Sequence, residues 1–87
     1  MFGIVRVYFH QRGFGFVVPL PYSGQPELYY HITDVPGEVE FAPGDGVAFQ
    51  TIVDRRRQKC VGVHAAEVDP EQRAEALRMV EKMHGRF

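Results

Sequence analysis

The sequence predicts an all-β fold, a closed or nearly closed five-stranded antiparallel barrel, followed by one short α-helix. Three observations predict it. Five short segments rich in Val, Ile, Tyr and Phe alternate in polarity, with Gly- and Pro-bearing turns between them. The chain has only 87 residues, and in so small a protein closing a sheet removes the edges that a flat one would expose. Past residue 68 the apolar period changes from that of a strand to that of a helix. The chain therefore divides into a β domain over 1–68 and a helical extension over 69–87.

Ile4 to Phe9 has the composition of a first strand, and Gln11-Arg12-Gly13 reads as the turn into a second over Phe14 to Val18. Pro19-Leu20-Pro21 and the turn-rich Ser23-Gly24-Gln25-Pro26 stop that strand. Leu28 to Ile32 is the third. A long connection follows over Thr33 to Asp45, carrying Pro36, Gly37, Pro43 and Gly44. Val47, Phe49 and Thr51, continuing toward Val53, alternate as a fourth strand, Asp54 to Lys59 reads as a charged loop, and Cys60 to Val68 is a fifth strand kinked or bulged at Gly62. The inward set is expected to be Val5, Val7, Val17, Leu28, Tyr30, Val47, Phe49 and Val63. A domain of this size buries only about 60% of its unfolded surface, so additional burial from the extension is expected to matter.

Asp69-Pro70-Glu71-Gln72 reads as a helix start: Asp69 can cap, Pro70 suits the first helical position, and Gln72 falls where a capping box takes an amide. Gly85 is placed to end the helix. Ala74, Leu77, Val80 and Met83 recur at helical spacing, with Phe87 completing the stripe, while Glu75, Arg78, Glu81 and Lys82 would face water. A helix this short is marginal alone, so its stripe needs a surface, either its own barrel or a second copy in a homodimer.

An apolar fraction of 45% is ordinary for a globule, and no apolar run approaches the ~18 residues that cross a membrane. The first residues lack the plan of a secretory signal, so a cytoplasmic protein with no membrane partner is expected. Cys60 is the only cysteine, which excludes an internal disulfide. A net charge of -1 weighs against phosphate binding, but its distribution matters more than its sum. Arg6, Arg12, Arg55, Arg56, Arg57 and Lys59 are the cations up to Val68, while Asp34, Glu38, Glu40 and Asp45 gather in one middle segment. If the fold holds those groups apart, a basic rim borders one face.

That face is announced by Arg12-Gly13-Phe14-Gly15-Phe16-Val17, which sets two phenylalanines on one side of a strand with glycines between them. Glycine in a strand often marks a close approach, so Gly13 and Gly15 are expected to clear space around the two rings. Leu28-Tyr29-Tyr30-His31-Ile32 again offers two flat side chains in alternation, Tyr29 and His31. Two such strands make a stacking platform for bases, although strand aromatics also fill small β cores.

Gly13-Phe14-Gly15-Phe16 and Leu28-Tyr29-Tyr30-His31 resemble the two ribonucleoprotein motifs of the cold-shock domain family, Gly-Phe-Gly-Phe and Val-Phe-Val-His. Gly3-Ile4-Val5-Arg6 resembles the family's opening Gly-x-Val-Lys, Pro43 to Phe49 its Glu-Gly-Gln-x-Val-x-Phe, and Gly62 to Val68 its Gly-Pro-Gln-Ala-Ala-Asn-Val, so the likeness covers 3–68. It implies the five-stranded oligonucleotide-binding (OB-fold) barrel. It also implies binding of single-stranded RNA or DNA, as by RNA chaperones and transcription antiterminators.

Carried over by the resemblance, Phe14, Phe16, Tyr29 and His31 stack bases, Tyr8 and Ile32 fall on further aromatic positions, and Arg6 and Arg12 on lysines that meet phosphate or base edges. Arg55, Arg56, Arg57 and Lys59 lie between the fourth and fifth strands, where such barrels clamp a bound strand; an isolated charge run is otherwise a solvated loop. The family's tryptophan falls on Val7, Tyr30 replaces a buried valine and must find a partner for its hydroxyl, the loop after the third strand is shorter, and the loop from Pro19 to Pro26 is longer. These departures imply a weaker or differently selective binder, and minimal members lack the extension altogether.

Cys60 and His64 are four apart without a second pair, so a zinc site would be incomplete. His10, His31, His64 and Asp34 show no nucleophile-base spacing, and no phosphate-cradling glycine loop is present. No catalysis, metal or cofactor is expected. The sequence thus points to a single-strand binder. Its rival is a protein-interaction or dimerisation module in which the nucleic-acid surface has weakened and the helix recruits a partner.

Overall fold

The computed structural model describes residues 1–84, the side chains of Met83 and His84 excepted, and contains β1 (Phe2–Phe9), β2 (Phe14–Leu20), β3 (Leu28–His31), β4 (Gly46–Asp54), β5 (Arg57–Ala65) and α1 (Pro70–His84). The strands neighbour one another in the order β1-β2-β3-β5-β4, and β4 returns to β1, so backbone pairing runs round a closed ring. The expectation of a wholly antiparallel sheet is corrected at one seam. β3 and β5 run parallel, through the single register pair Tyr29 and Lys59. Neighbours that alternate in direction cannot close round an odd number of strands, so one pairing of the five has to be parallel.

β1 starts at Phe2 rather than Ile4, and β2 continues through Pro19 to Leu20 rather than stopping at Val18. Pro19 lies opposite Gly3 and beyond Val17–Leu28, the last β2–β3 pair, so that flank of β2 is an edge where a missing N–H is tolerated. β3 ends at His31, whose Nδ1 accepts from the Thr33 N–H and starts a 3-10 turn over Ile32–Asp34. The charged loop expected over 54–59 is instead a hairpin: Asp54 pairs with Arg57, leaving a two-residue turn of Arg55 and Arg56. β5 ends at Ala65 rather than Val68, and its register slips by one residue around Gly62, which takes φ +59.

The interior of the ring holds Val5, Val17, Leu28, Tyr30, Val47, Phe49 and Val63, as the alternation predicted, together with Cys60. Val35 and Phe41 join them from the connection between β3 and β4, where no strand period could announce them. Val7 does not belong to this set. Along β1 and β2, Val5 faces Val17 while Val7 faces Phe16, so Arg6 is an extra residue, a β-bulge that reverses every side chain after it. Val7 is thereby turned outward and Tyr8 inward, its ring stacked on Tyr30 at 6.2 Å. Burial pushes the Tyr30 phenol and the Cys60 thiol each up to about 12, so both stay protonated at neutral pH and Cys60 is a poor nucleophile.

Gly15 lies on the interior side of β2, between Phe14 and Phe16, and makes room for the Tyr30 ring rather than for a ligand: a Cβ there would stand 2.9 Å from Tyr30 Cε1. The hydroxyl of Tyr30 is buried without a hydrogen-bond partner among the described residues. Because an unsatisfied buried hydroxyl costs about 1–3 kcal/mol, Tyr30→Phe is expected to raise stability by about 1 kcal/mol in urea denaturation. A loss of stability would instead mean that the hydroxyl is bonded.

A second cluster lies outside the ring, where α1 covers Ile4 and Val18 with Ala76 and Val80, flanked by Leu20, Tyr22, Val68 and Leu77. Asp69 Oδ1 accepts from the N–H of Glu71 at 2.8 Å and of Gln72 at 3.4 Å, so the predicted cap forms. Arg73 Nε donates to the Gly44 carbonyl at 2.9 Å and helps set the rotation of the helix. In that rotation Ala74 is exposed and Ala76 takes the buried place expected of it. The expectations for Gly85, Phe87 and the Met83 side chain lie outside the described residues. Among the described residues no helix is long and apolar enough to cross a membrane.

Candidate nucleic-acid interface

Outward-facing positions of β2 and β3 assemble the rings that the sequence singled out. Phe14 is opposite His31 and Phe16 opposite Tyr29, so all four share the outer surface of adjacent strands. Phe14 lies 5.5 Å from Tyr29 and 5.9 Å from Phe16, and Phe16 lies 6.3 Å from Tyr29, with tilted or edge-on planes rather than face-to-face stacking. Each is partly exposed. α1 does not roof them, because it sits on Val18, further along the same outer side of β2.

Phe9 belongs to this group, although the alternation along β1 would turn it inward. It is 41% exposed, pairs with Phe14 across β1 and β2, and its ring stands 5.0 Å from the Phe14 ring. The bulge at Arg6 is responsible: without it Phe9 would face inward and Tyr8 outward. A one-residue slip leaves composition unchanged, so only a pairing register reveals it.

Two of the predicted contact residues are placed elsewhere. Tyr8 stacks on Tyr30 on the interior side, with its hydroxyl 3.5 Å from Glu40, and Ile32 packs against the interior cluster from the 3-10 turn. Neither joins the outer rings.

The basic rim is narrower than its composition. Arg6 Nε is ion-paired with Glu27, both side chains 19% exposed, and Lys59 Nζ is 3.1 Å from Asp34. The acids are therefore not wholly segregated, since Asp34 reaches across from the middle segment to neutralise Lys59. Glu40 pairs with His10 at 2.7 Å. Arg12, Arg55, Arg56 and Arg57 are exposed, and the Arg57 guanidinium lies over the Tyr29 ring, 5.1 Å from its centroid. His31 Nδ1 and the Thr33 hydroxyl are 2.9 Å apart, which orients the imidazole beside Phe14.

Arg55 and Arg56 adopt φ +53 and +66, the left-handed pair that a two-residue hairpin turn requires and that Asn and Gly fill at least cost. Each arginine there costs about 1 kcal/mol. Arg55→Asn combined with Arg56→Gly is accordingly expected to stabilise the chain by about 1–2 kcal/mol. In the same variant the slope of log affinity against log salt for a single strand should flatten by about 1.4, or 0.7 per cation lost. Thermal melts and titrations at several salt concentrations check both signs; an unchanged slope would remove these arginines from the interface.

Among the described residues no group of three His, Cys, Asp or Glu stands close enough to hold a metal ion. Cys60 is buried in the ring while His64 is exposed, its Nδ1 2.9 Å from the Gly62 carbonyl. Compared with known proteins, the chain matches no family model and no curated sequence.

Proposed function

We propose that this chain binds single-stranded RNA or DNA by stacking bases on Phe9, Phe14, Phe16, Tyr29 and His31, with Arg12, Arg55, Arg56 and Arg57 meeting phosphate. The observation that carries the reading is four aromatic rings on an outer surface, linked by neighbour-to-neighbour centroid distances of 5.0–6.3 Å and bordered by a guanidinium. Aromatic faces accept any base, at about 1–3 kcal/mol per contact, so three or four contacts give micromolar affinity after the cost of association. On this reading the ring is an OB-fold barrel of the cold-shock type, acting as an RNA chaperone or antiterminator does. It makes and breaks no bond. By holding only the open strand it draws a folded nucleic acid toward that form by mass action.

The rival, a dimerisation or protein-interaction module, needs the helix stripe free. Ala76 and Val80 are instead occupied by Ile4 and Val18 of the same chain. The chain has no tryptophan, so its emission comes from four tyrosines, of which Tyr29 lies among the outer rings. Titration with a pyrimidine-rich oligonucleotide is expected to quench it, with a salt slope no steeper than about -3 for four arginines. A flat titration, together with a dimer in sedimentation, would favour the rival.

A further inference from the structure

Beside the outer rings, between the end of β3 and the β4–β5 hairpin, lies an open concavity of about 530 Å³ lined by Tyr29, His31, Thr33, Asp54, Arg55, Arg57 and Lys59. Its polar groups are unequally committed. His31 and Thr33 are bonded to each other at 2.9 Å, and Lys59 is held by Asp34 at 3.1 Å. Asp54, 55% exposed, stands 3.9 Å from Lys59, beyond direct hydrogen bonding. The concavity therefore offers one exposed carboxylate, held only by a long 3.9 Å ion pair to Lys59, beside two exposed guanidinium groups and the Tyr29 ring.

A site built for phosphate alone would not hold a carboxylate, because two anions repel. A base with hydrogen-bond donors on its edge reverses that sign. We infer that this concavity is a base-reading pocket selective for guanine, with Asp54 accepting from its N1–H and N2 amine; the inference rests on the single-strand reading above. Guanine alone among the common bases presents two adjacent, parallel N–H donors on its Watson–Crick edge, the match for the two oxygens of a carboxylate. Its O6 acceptor then falls on the side of Arg55, and its face lies against the Arg57 guanidinium that covers Tyr29. Uracil, thymine and cytosine lack the paired donors. Specificity of this kind adds to stacking, which is indifferent to base identity.

The test uses the full chain and tyrosine emission with three strands: heptathymidylate, and the same strand with its central thymidine replaced by guanosine or by inosine, which lacks the N2 amine. The guanosine strand is expected to bind about 10-fold more tightly than heptathymidylate, and inosine to forfeit most of that gain, as for one bidentate contact. In Asp54→Asn, guanosine and inosine strands should bind alike, with affinity for heptathymidylate within about 2-fold of the parent, since an exposed isosteric change barely perturbs a fold. Equal binding of all three strands by the parent chain, or a guanosine preference that survives Asp54→Asn, overturns the pocket and leaves single-strand binding standing. Failure of every strand to bind overturns both. The inosine comparison needs no variant, so it decides the matter even if Asp54→Asn folds poorly.

Discussion

Phe14→Ala is expected to weaken binding of a pyrimidine-rich single strand by about 10- to 100-fold while the chain stays folded. Phe14 is the hub of the outer cluster, 5.0 Å from Phe9, 5.5 Å from Tyr29, 5.9 Å from Phe16 and opposite His31. Truncation removes its own stack and also a wall against which three other rings are held, so the loss falls at the upper end of what one base contact contributes. Its effect on folding is smaller, because Phe14 lies in neither buried cluster. Adding His31→Ala should cost further affinity but less than the sum of the two single losses, since contacting residues are not independent. Tyrosine quenching measures the affinity and far-ultraviolet circular dichroism the fold. Unchanged affinity in Phe14→Ala, with the parent chain binding normally, would move the interface elsewhere.

The second large effect is on stability. Gly15→Ala is expected to destabilise the chain by about 3 kcal/mol or more, a large part of what a domain this small has to lose. The new methyl would collide with the Val7 carbonyl oxygen and stand 2.9 and 3.1 Å from two carbons of the Tyr30 ring. Val7 is in register with Phe16 and Tyr8 with Gly15 across β1 and β2, so the backbone has little freedom to retreat, while Tyr30 is fully buried. Gly24→Ala is the control: φ is +86 there but nothing lies within 4 Å, so only the backbone penalty of about 1 kcal/mol remains. Urea midpoints for the two variants should differ clearly. Equal midpoints would mean that β1 and β2 are further apart than described.

These two residues also mark how far the sequence could be read. The alternation of Phe14 and Phe16, of Tyr29 and His31, and of the inward valines is a period-two signal, and it placed strands, faces and most of the interior correctly. The Asp69-Pro70 start of α1 was legible because capping is local. What the sequence hid depends on register or on distant partners. A single inserted residue at Arg6 exchanged Val7 for Tyr8 and brought Phe9 out. The ion pairs Arg6–Glu27 and Lys59–Asp34 span 21 and 25 residues and reduce a six-cation rim to four exposed arginines. Val35 and Phe41 reach the interior from a connection with no period. Gly15 was legible as a close approach, but the chain it admits is its own.

The parallel seam between β3 and β5 has a consequence of its own. A ring is no tougher than its thinnest joint, and here that joint is the one rung at Tyr29 and Lys59, under the residue on which Arg57 rests. Amide protons at this rung should therefore trade with solvent sooner than those of the long β4–β5 ladder. A guest lodged between Tyr29 and the hairpin would bridge the joint like a stitch, coupling occupancy to the stiffness of the whole ring.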